Sequence, residues 1–176
     1  MDWMTKHYQD RNISILDIGT GHGKMGKILK GRLYNNVDAI DIWEPHVVQA
    51  KKSGNYKYVF KGDIRTFYFP KKYDIVILAD ILEHMTTEDG QQLLETLRNN
   101  ANQIIIVVPY DYPQHELYGN VYEIHLQPDL NPSNFLERYP VMEMLFSCYN
   151  RGSSFAGIGV FISDMIDKKD IIVNHS

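Results

Sequence analysis

One short segment of the chain combines a carboxylate with a run of glycines. It reads LDIGTGHGKMG and covers residues 16–26. Glycines allow tight backbone turns and leave room for a ligand, and a turn between a strand and a helix directs N–H groups into the crevice above a parallel sheet. Read from Gly21, the segment fits G-x-G-x-x-G, the pattern of a dinucleotide-binding turn, whereas read from Asp17 it fits D-x-G-x-G-x-G. The glycine pattern therefore indicates a cofactor site and leaves the cofactor open.

Asp17 separates the two interpretations of this turn. A nicotinamide dinucleotide brings a pyrophosphate to the start of the helix, and a carboxylate just before it would repel that charge. The α-ammonium of S-adenosyl-L-methionine is instead matched by a carboxylate at the end of a strand. A simpler role for Asp17 is to cap the turn by accepting local N–H groups. A P-loop is excluded because no G-K-[ST] follows.

More carboxylates follow the later apolar segments of the chain. Asp41 comes 20 residues after Gly21, at the end of a strand-like run, where a carboxylate can accept two ribose hydroxyls. Asp63 follows the next run, in FKGDI, where a carboxylate can accept the adenine amino hydrogens. Ala79 and Asp80 end a fourth run, YDIVILAD, which we expect beside the first at the mouth of the crevice.

The hydrophobic pattern predicts the elements that position these side chains. Apolar runs alternate with amphipathic segments, as in a parallel sheet covered by helices on both faces. The predicted strands are 13–18, 37–42, 56–60, 73–79 and 103–108, and the predicted helices are 24–33, 45–52, 86–101 and one that starts near 131–132. Two later runs, 141–149 and 155–163, are joined by NRGSS and predict an antiparallel hairpin.

We therefore expect an α/β fold, a three-layer Rossmann-like sandwich around a mostly parallel seven-stranded sheet that ends in an antiparallel hairpin. One domain is expected over residues 1–176. Its cofactor-binding half covers about 12–108, its substrate loop and closing hairpin about 109–163, and its polar tail 164–176.

Composition narrows the class of protein. The chain has 176 residues, 44% of them hydrophobic, which is enough for a globular core. A single cysteine fits a reducing compartment, and the longest apolar run, IIIVV, is too short to span a bilayer, so a cytoplasmic protein without membrane contact is expected. Residues 1–72 hold 13 Lys and Arg against 7 Asp and Glu, and residues 73–176 hold 5 against 15. Solvated helix faces explain this asymmetry most simply, and a homodimer is the alternative.

The segments ILDIGTGHG, VDAIDIWEP, FKGDI and YDIVILADILEHM resemble, in order and spacing, the successive motifs of class I S-adenosylmethionine-dependent methyltransferases. The resemblance covers about residues 12–108. It implies that Asp17 and the glycine turn hold the methionine part of the cofactor, Asp41 the ribose, and Asp63 with Ile64 the adenine. The residues expected at the cofactor are Asp17, Gly19, Thr20, Gly21, Gly23, Asp41, Ile42, Asp63, Ile64, Ala79 and Asp80.

Catalytic side chains are expected after the fourth and fifth strands, because ligands lie outside the carboxyl ends of an open parallel sheet. We expect Asp80 and His125 to act there, with His125 as the preferred base, although a loop histidine is often only structural. The segment YGNVYEIHLQPDL is rich in aromatic and polar residues and is expected to shape the acceptor pocket. GNVYEIH also resembles a loop of bacterial family members, some of them associated with surface saccharides, so the expected acceptor is a small molecule or a saccharide.

The segment DILEH raises the question of a metal. Asp80, Glu83 and His84 share one face if a helical turn begins there, and His115 or His125 could complete a divalent site. The pattern is similar to the metal-binding E-x-x-E-H of methyltransferases that act on small-RNA ends. D-x-L-E-H is also widespread in relatives without a metal, and no metal is expected here. The acidic surroundings argue against a nucleic-acid substrate.

Two rival functions stay open. The first is a catalytically silent S-adenosylmethionine-binding subunit, which the short stretch before the first strand allows. The second is a nicotinamide-dependent oxidoreductase that uses GHGKMG, against which Asp17 argues.

Overall fold

The computed structural model describes residues 2–149 and 157–163. Seven strands form a single sheet, and their spatial order differs from their order in the chain. They are β1 (Ile15–Ile18), β2 (Val37–Asp41), β3 (Tyr58–Lys61), β4 (Tyr73–Ala79), β5 (Ala101–Tyr110), β6 (Met142–Tyr149) and β7 (Gly157–Ser163). The order across the sheet is β3-β2-β1-β4-β5-β7-β6. The first five strands pair in parallel, and β7 pairs antiparallel with both β5 and β6.

This arrangement confirms the expected fold class, with the hairpin β6–β7 closing a parallel sheet. The link NRGSS and the polar tail 164–176 lie outside the described residues, so the expectations for them stay untested. In the described part of the chain, no helix is both long and apolar enough to cross a membrane.

Within residues 2–149 and 157–163, five α-helices pack around the sheet: α1 (Asp2–His7), α2 (Lys24–Gly31), α3 (Glu44–Ser53), α4 (Thr87–Asn100) and α5 (Pro132–Arg138). The sequence predicts all of them except α1. Their ends follow local chemistry: the hydroxyl of Thr86 accepts the Asp89 N–H before α4, and Asn131 forms a capping box with Asn134 before α5.

The core lies on both faces of the sheet, which gives the three layers. On one face, Leu93 and Leu97 of α4 and Phe135 of α5 pack against the strands. On the other face, Met4 of α1 and Leu29 of α2 pack against them. Each face of the central strands is therefore covered, which is why these strands are apolar at nearly every position.

Strand β3 departs from the prediction of a buried strand over 56–60. It covers Tyr58–Lys61, and the side chain of Tyr58 is 57% exposed. The reason is its position at the edge of the sheet, where it has a neighbour on one side only. Tyr56 lies before the strand, in a loop, and takes part in the site described next.

The parallel register positions the site. Ile18 pairs with Ile40 of β2 and with Leu78 of β4, so the segments that leave these three strands emerge side by side. They carry the glycine turn, Asp41 and Asp80.

Candidate active site

Asp17 is a fully buried carboxylate near the end of β1. Its Oδ2 accepts a hydrogen bond of 2.6 Å from the hydroxyl of Tyr56, and its Oδ1 has no hydrogen-bond partner. Burial raises the pKa of Asp17 to about 7; the Tyr56 hydroxyl opposes this rise and the nearby Asp41 adds to it. A buried carboxylate oxygen without a donor is costly in the free protein and is matched by a cationic or N–H-bearing ligand.

The glycine turn adopts a backbone that side chains disfavour. Gly19, Gly21 and Gly23 all have positive φ, at +75°, +48° and +79°. A Cβ at Gly19 would overlap the side chain of Ile81, whereas a Cβ at Gly21 or Gly23 would meet nothing within 4 Å. The turn is thus packed against Ile81 at its beginning and open at its middle, where a ligand has room. Thr20, between the first two glycines, is buried.

Asp41 closes the turn from the end of β2. Its Oδ2 accepts the Thr20 hydroxyl at 3.0 Å and the Gly21 N–H at 3.1 Å. Its Oδ1 accepts the Trp43 N–H at 2.9 Å, and Nδ1 of His46 lies 3.4 Å from its Oδ2. Burial would raise the pKa of Asp41, but the contacts with His46, Trp43 and Gly21 outweigh it and lower that pKa. Asp41 is therefore an ionised carboxylate at the position expected for a ribose ligand.

Asp63 and Ile64 follow β3, as the motif predicts, but their side chains are engaged by the protein. The Asp63 carboxylate accepts the Arg65 N–H at 3.0 Å and the Arg65 guanidinium at 2.6 Å, and the bond from the Arg65 side chain is the main reason that the pKa of Asp63 is lowered. Arg65 also pairs with Asp89 at 2.8 Å. Ile64 is buried in the core, while Ile42, after β2, is half-buried.

Ala79 is the last residue of β4, and Asp80 follows it next to Ile81, which touches the glycine turn. Asp80 is a non-glycine residue at φ +56°, a strained conformation of the kind that concentrates at functional sites. Its side chain reaches solvent at the crevice, yet the surrounding walls desolvate the carboxyl enough to raise its pKa, against the opposing charges of Lys24 and His125.

An irregular loop of residues 111–130 lies beyond β5 and carries exposed apolar side chains. Tyr118 is 92% exposed, and Leu117, Val121, Tyr122 and Leu126 are exposed as well. Its C-terminal part is tied to the turn Leu82–His84: the N–H groups of Leu126 and Gln127 both donate to the carbonyl of Glu83, at 2.8 and 3.0 Å.

The side chain of Gln127 strengthens this connection from a buried position. Its Nε2 donates to the carbonyls of Leu82 and Met85, at 2.9 and 3.1 Å, and its Oε1 accepts the Tyr139 hydroxyl at 3.0 Å. These bonds hold the 111–130 loop at the same edge of the sheet as Asp80.

His125 lies against His84, with ring centroids 4.7 Å apart, and Glu83 is the residue before His84. Nδ1 of His125 is 2.6 Å from the carbonyl of Tyr112, and Nδ1 of His84 is 3.2 Å from the carbonyl of Ile124. Burial lowers the pKa of both histidines. Within the described residues, Glu83, His84 and His125 form a group whose ligand atoms all lie within 4.8 Å of one another. His115, the other histidine considered from the sequence, is exposed and does not belong to this group.

The profile of the methyltransferase domain family matches residues 15–102 of this chain. The chain belongs to the methyltransferase domain family. The matched stretch runs from β1 to the start of β5 and contains every residue expected at the cofactor. The resemblance in the motifs is thus confirmed, and with it the class of cofactor that this family uses, S-adenosyl-L-methionine.

Two curated relatives are ubiquinone biosynthesis O-methyltransferases. The protein from Rickettsia felis is 31% identical over 99 residues, which are 53% of this chain and 39% of that protein. The protein from Rickettsia canadensis is 30% identical over 114 residues, 60% of this chain and 47% of that protein. The match therefore spans less than half the length of these two methyltransferases.

A solved structure with the same fold is magnesium protoporphyrin IX methyltransferase from Synechocystis PCC 6803 with bound S-adenosylmethionine. It superposes with a TM-score of 0.65 at 17% identity, covering 92% of this chain and 75% of that one. The likeness over nearly the whole chain confirms that this methyltransferase domain has the fold of the class I enzymes.

Two site residues escape the sequence patterns. Tyr56 reaches Asp17 across 39 residues of chain, and Gln127 reaches Leu82 across 45. The sequence predicts Tyr56 only as the first residue of a strand, and Gln127 only as part of the segment YGNVYEIHLQPDL. No signal in the sequence marks the contact that either side chain makes, since each contact joins distant segments.

Proposed function

We propose that this chain binds S-adenosyl-L-methionine and transfers its methyl group to a small-molecule or saccharide hydroxyl. The observation that carries the proposal is Asp17, a buried carboxylate with an unpartnered oxygen beside an open glycine turn. This oxygen suits the α-ammonium of an amino-acid cofactor, and a pyrophosphate would be repelled by it. The site thus fits the cofactor of the family better than a nicotinamide dinucleotide.

The other residues expected at the cofactor have consistent chemistry. The open side of the turn at Gly21 and Gly23 leaves space for the methionine part. Asp41 is ionised and accepts hydrogen bonds, which suits ribose hydroxyls. The Asp63 carboxylate already accepts hydrogen bonds from Arg65, so an adenine amino group would have to share this carboxylate with Arg65.

When bound, the cofactor supplies an electrophilic methyl group on a sulfonium, and the protein has to align the acceptor and exclude water. We assign the docking of the acceptor to the 111–130 loop, because its aromatic and apolar side chains are exposed. We assign the acceptance of the hydroxyl proton to Asp80, which lies at the crevice and whose raised pKa makes it a better base near neutral pH. The names of the two Rickettsia relatives support oxygen as the acceptor atom.

Calorimetric titration with S-adenosylhomocysteine tests the cofactor assignment, with NADH titrated in parallel. The chain is expected to bind S-adenosylhomocysteine and not NADH. Asp17→Asn and Asp41→Asn are expected to weaken binding about tenfold to a hundredfold each, because a hydrogen bond to a charged group contributes about 1.5–3 kcal/mol. Glu95→Ala, which removes an exposed carboxylate on α4, serves as the matched control.

Binding of NADH, or equal affinity in all variants, would contradict the proposal. Activity is then tested by the release of S-adenosylhomocysteine in the presence of phenolic and saccharide acceptors. A protein that binds the cofactor and turns over none of these acceptors would be the silent subunit instead.

A further inference from the structure

Among the residues that the structure describes, Glu83 is the buried carboxylate with both oxygens unpartnered. Its side chain is 1% exposed, and neither carboxylate oxygen has a hydrogen-bond partner. Burying a carboxylate without donors costs several kcal/mol, and an apolar residue would fill the space without that cost. Such a group is explained by a ligand that the isolated chain does not contain.

The neighbours of Glu83 identify the chemistry of this ligand. Glu83, His84 and His125 each offer one ligand atom, and these atoms lie within 4.8 Å of one another. A metal ion with bonds of about 2.1 Å holds its ligand atoms about 3–3.5 Å apart. Small side-chain rotations close the difference.

Both histidines are held in the form that binds metals. Nδ1 of His125 donates to the Tyr112 carbonyl, and Nδ1 of His84 lies within hydrogen-bond distance of the Ile124 carbonyl. A proton on Nδ1 leaves the lone pair on Nε2, which is the usual arrangement around a metal-binding imidazole.

The backbone around the cluster is built as a rigid support. Glu83 and His84 belong to the turn Leu82–His84, and Gln127 donates to the carbonyls of Leu82 and Met85 on either side of them. The adjacent N–H groups of Leu126 and Gln127 bond to the Glu83 carbonyl. The segment that carries His125 is therefore fixed against the turn that carries the other two residues.

The charges around the cluster favour a cation. Asp80 and Glu123 are close enough to Glu83 to interact with it electrostatically. The acidic groups of Glu83, Asp80 and Glu123 thus lie near one another beside two imidazoles, and a divalent cation would be attracted by this set of donor atoms.

We propose that Glu83, His84 and His125 bind a divalent transition-metal ion of the first row. Two imidazoles and one carboxylate match Mn²⁺, Fe²⁺, Co²⁺ or Zn²⁺, whereas Mg²⁺ and Ca²⁺ prefer oxygen ligands alone. The proposal replaces the expectation of no metal, and it assigns His125 as a ligand in place of its predicted role as a base.

A role for the ion follows from its position and rests on the proposed function. Three protein ligands leave at least one coordination position open, and Asp80 is a solvent-exposed residue close enough to Glu83 to interact with it. An acceptor hydroxyl bound at that position loses its proton more readily, and Asp80 is placed to take this proton. The acceptors favoured by such a site carry adjacent oxygen atoms, as catechols and sugar diols do.

The test uses the full chain, freed of metal with a chelator and titrated with CoCl₂, MnCl₂, ZnCl₂ and MgCl₂. Calorimetry is expected to show one bound transition-metal ion per chain and much weaker binding of Mg²⁺. Bound Co²⁺ should give visible absorption bands, a readout independent of activity. Glu83→Gln and His125→Asn should each lower the Co²⁺ affinity by more than about a hundredfold, because even residues outside the ligand set contribute about tenfold to a hundredfold.

His115→Asn is the matched control, since it removes an exposed histidine from the same loop. It is expected to leave the Co²⁺ affinity and spectrum unchanged. Circular dichroism verifies that each variant is folded, and the two ligand variants serve as replacements for each other if one is not.

Failure to bind Co²⁺, or equal binding by the Glu83, His125 and His115 variants, would overturn the metal proposal. Titration of the same samples with S-adenosylhomocysteine separates this result from the proposed function. Cofactor binding without metal binding contradicts only the metal site, and metal binding without cofactor binding contradicts only the methyltransferase assignment.

Discussion

The cofactor crevice and the Glu83–His84–His125 cluster differ in how many hydrogen bonds their buried carboxylates accept. In the crevice, Asp41 accepts three hydrogen bonds from the glycine turn and from its own segment, and Asp17 accepts one and keeps one oxygen unpartnered. In the cluster, Glu83 accepts none with its side chain. A partly satisfied carboxylate fits a ligand with a few N–H groups, and an unsatisfied one beside imidazoles fits a metal ion.

The two regions also differ in how the chain assembles them. The crevice collects residues from the ends of successive parallel strands, each within its own motif. The cluster joins one short turn to a loop that arrives 40 residues later, through contacts such as that of His84 with Ile124. The crevice is therefore robust to changes in the loop, and the cluster depends on it.

Asp17→Asn has a large expected effect on the free energy of unfolding. It tests whether the buried carboxylate lowers the stability of the ligand-free chain while it strengthens cofactor binding. Because the folded-state pKa of Asp17 is raised from 3.8 to about 7, its protonated form stabilises the fold below pH 4, and this contribution is lost as the pH rises through 7. The loss approaches roughly 4 kcal/mol at high pH, at 1.36 kcal/mol per pKa unit. Asp17→Asn should thus stabilise the ligand-free chain at pH 8.5 while it weakens cofactor binding.

Urea unfolding of both proteins at pH 5.5, 7 and 8.5 measures this difference. The stability gain of Asp17→Asn should grow with pH. A gain that does not change with pH would show that Asp17 ionises freely in the folded protein.

Gly19→Ala and Gly21→Ala compare the packed beginning of the glycine turn with its open middle. Both place a side chain at positive φ, which costs about 1–2 kcal/mol. Gly19→Ala also forces its Cβ into Ile81, at an additional overpacking cost of about 1–3 kcal/mol. Urea unfolding should therefore rank Gly19→Ala as the more destabilising by at least about 1 kcal/mol, and equal values would mean that Ile81 does not pack on the turn.

Gln127→Leu tests the dependence of the cluster on its loop. It keeps the side-chain volume and removes the side-chain donor of the Met85 carbonyl, while the Leu82 carbonyl retains only the Met85 N–H, at a cost of about 1–3 kcal/mol. The Co²⁺ affinity should fall and the affinity for S-adenosylhomocysteine should remain. Gln92→Leu, at an exposed position of α4, is the control. A loss of both affinities would show that the two regions are one cooperative unit.

Much of the fold follows from the sequence because its signals are local. Apolar runs predict the central strands, with β4 matching residues 73–79 from end to end. The caps at Thr86 and Asn131 mark the starts of α4 and α5. The prediction is less accurate at the edge of the sheet, where β3 starts at Tyr58 and Tyr56 lies in the preceding loop. The exposure of a residue there depends on which strands lie beside it, and the local sequence does not specify this.

The sequence by itself determined the glycine turn, the carboxylates at the strand ends and the family, since each motif is set by neighbours along the chain. Three contacts were decided only by the tertiary structure. The Tyr56 hydroxyl donates a hydrogen bond to Asp17, and the Arg65 guanidinium donates to the Asp63 carboxylate. The His125 ring lies close to Glu83 and His84. These contacts depend on the path of loops between distant segments. Local periodicity carries no information about that path, because many loop conformations satisfy the same pattern of polar and apolar residues.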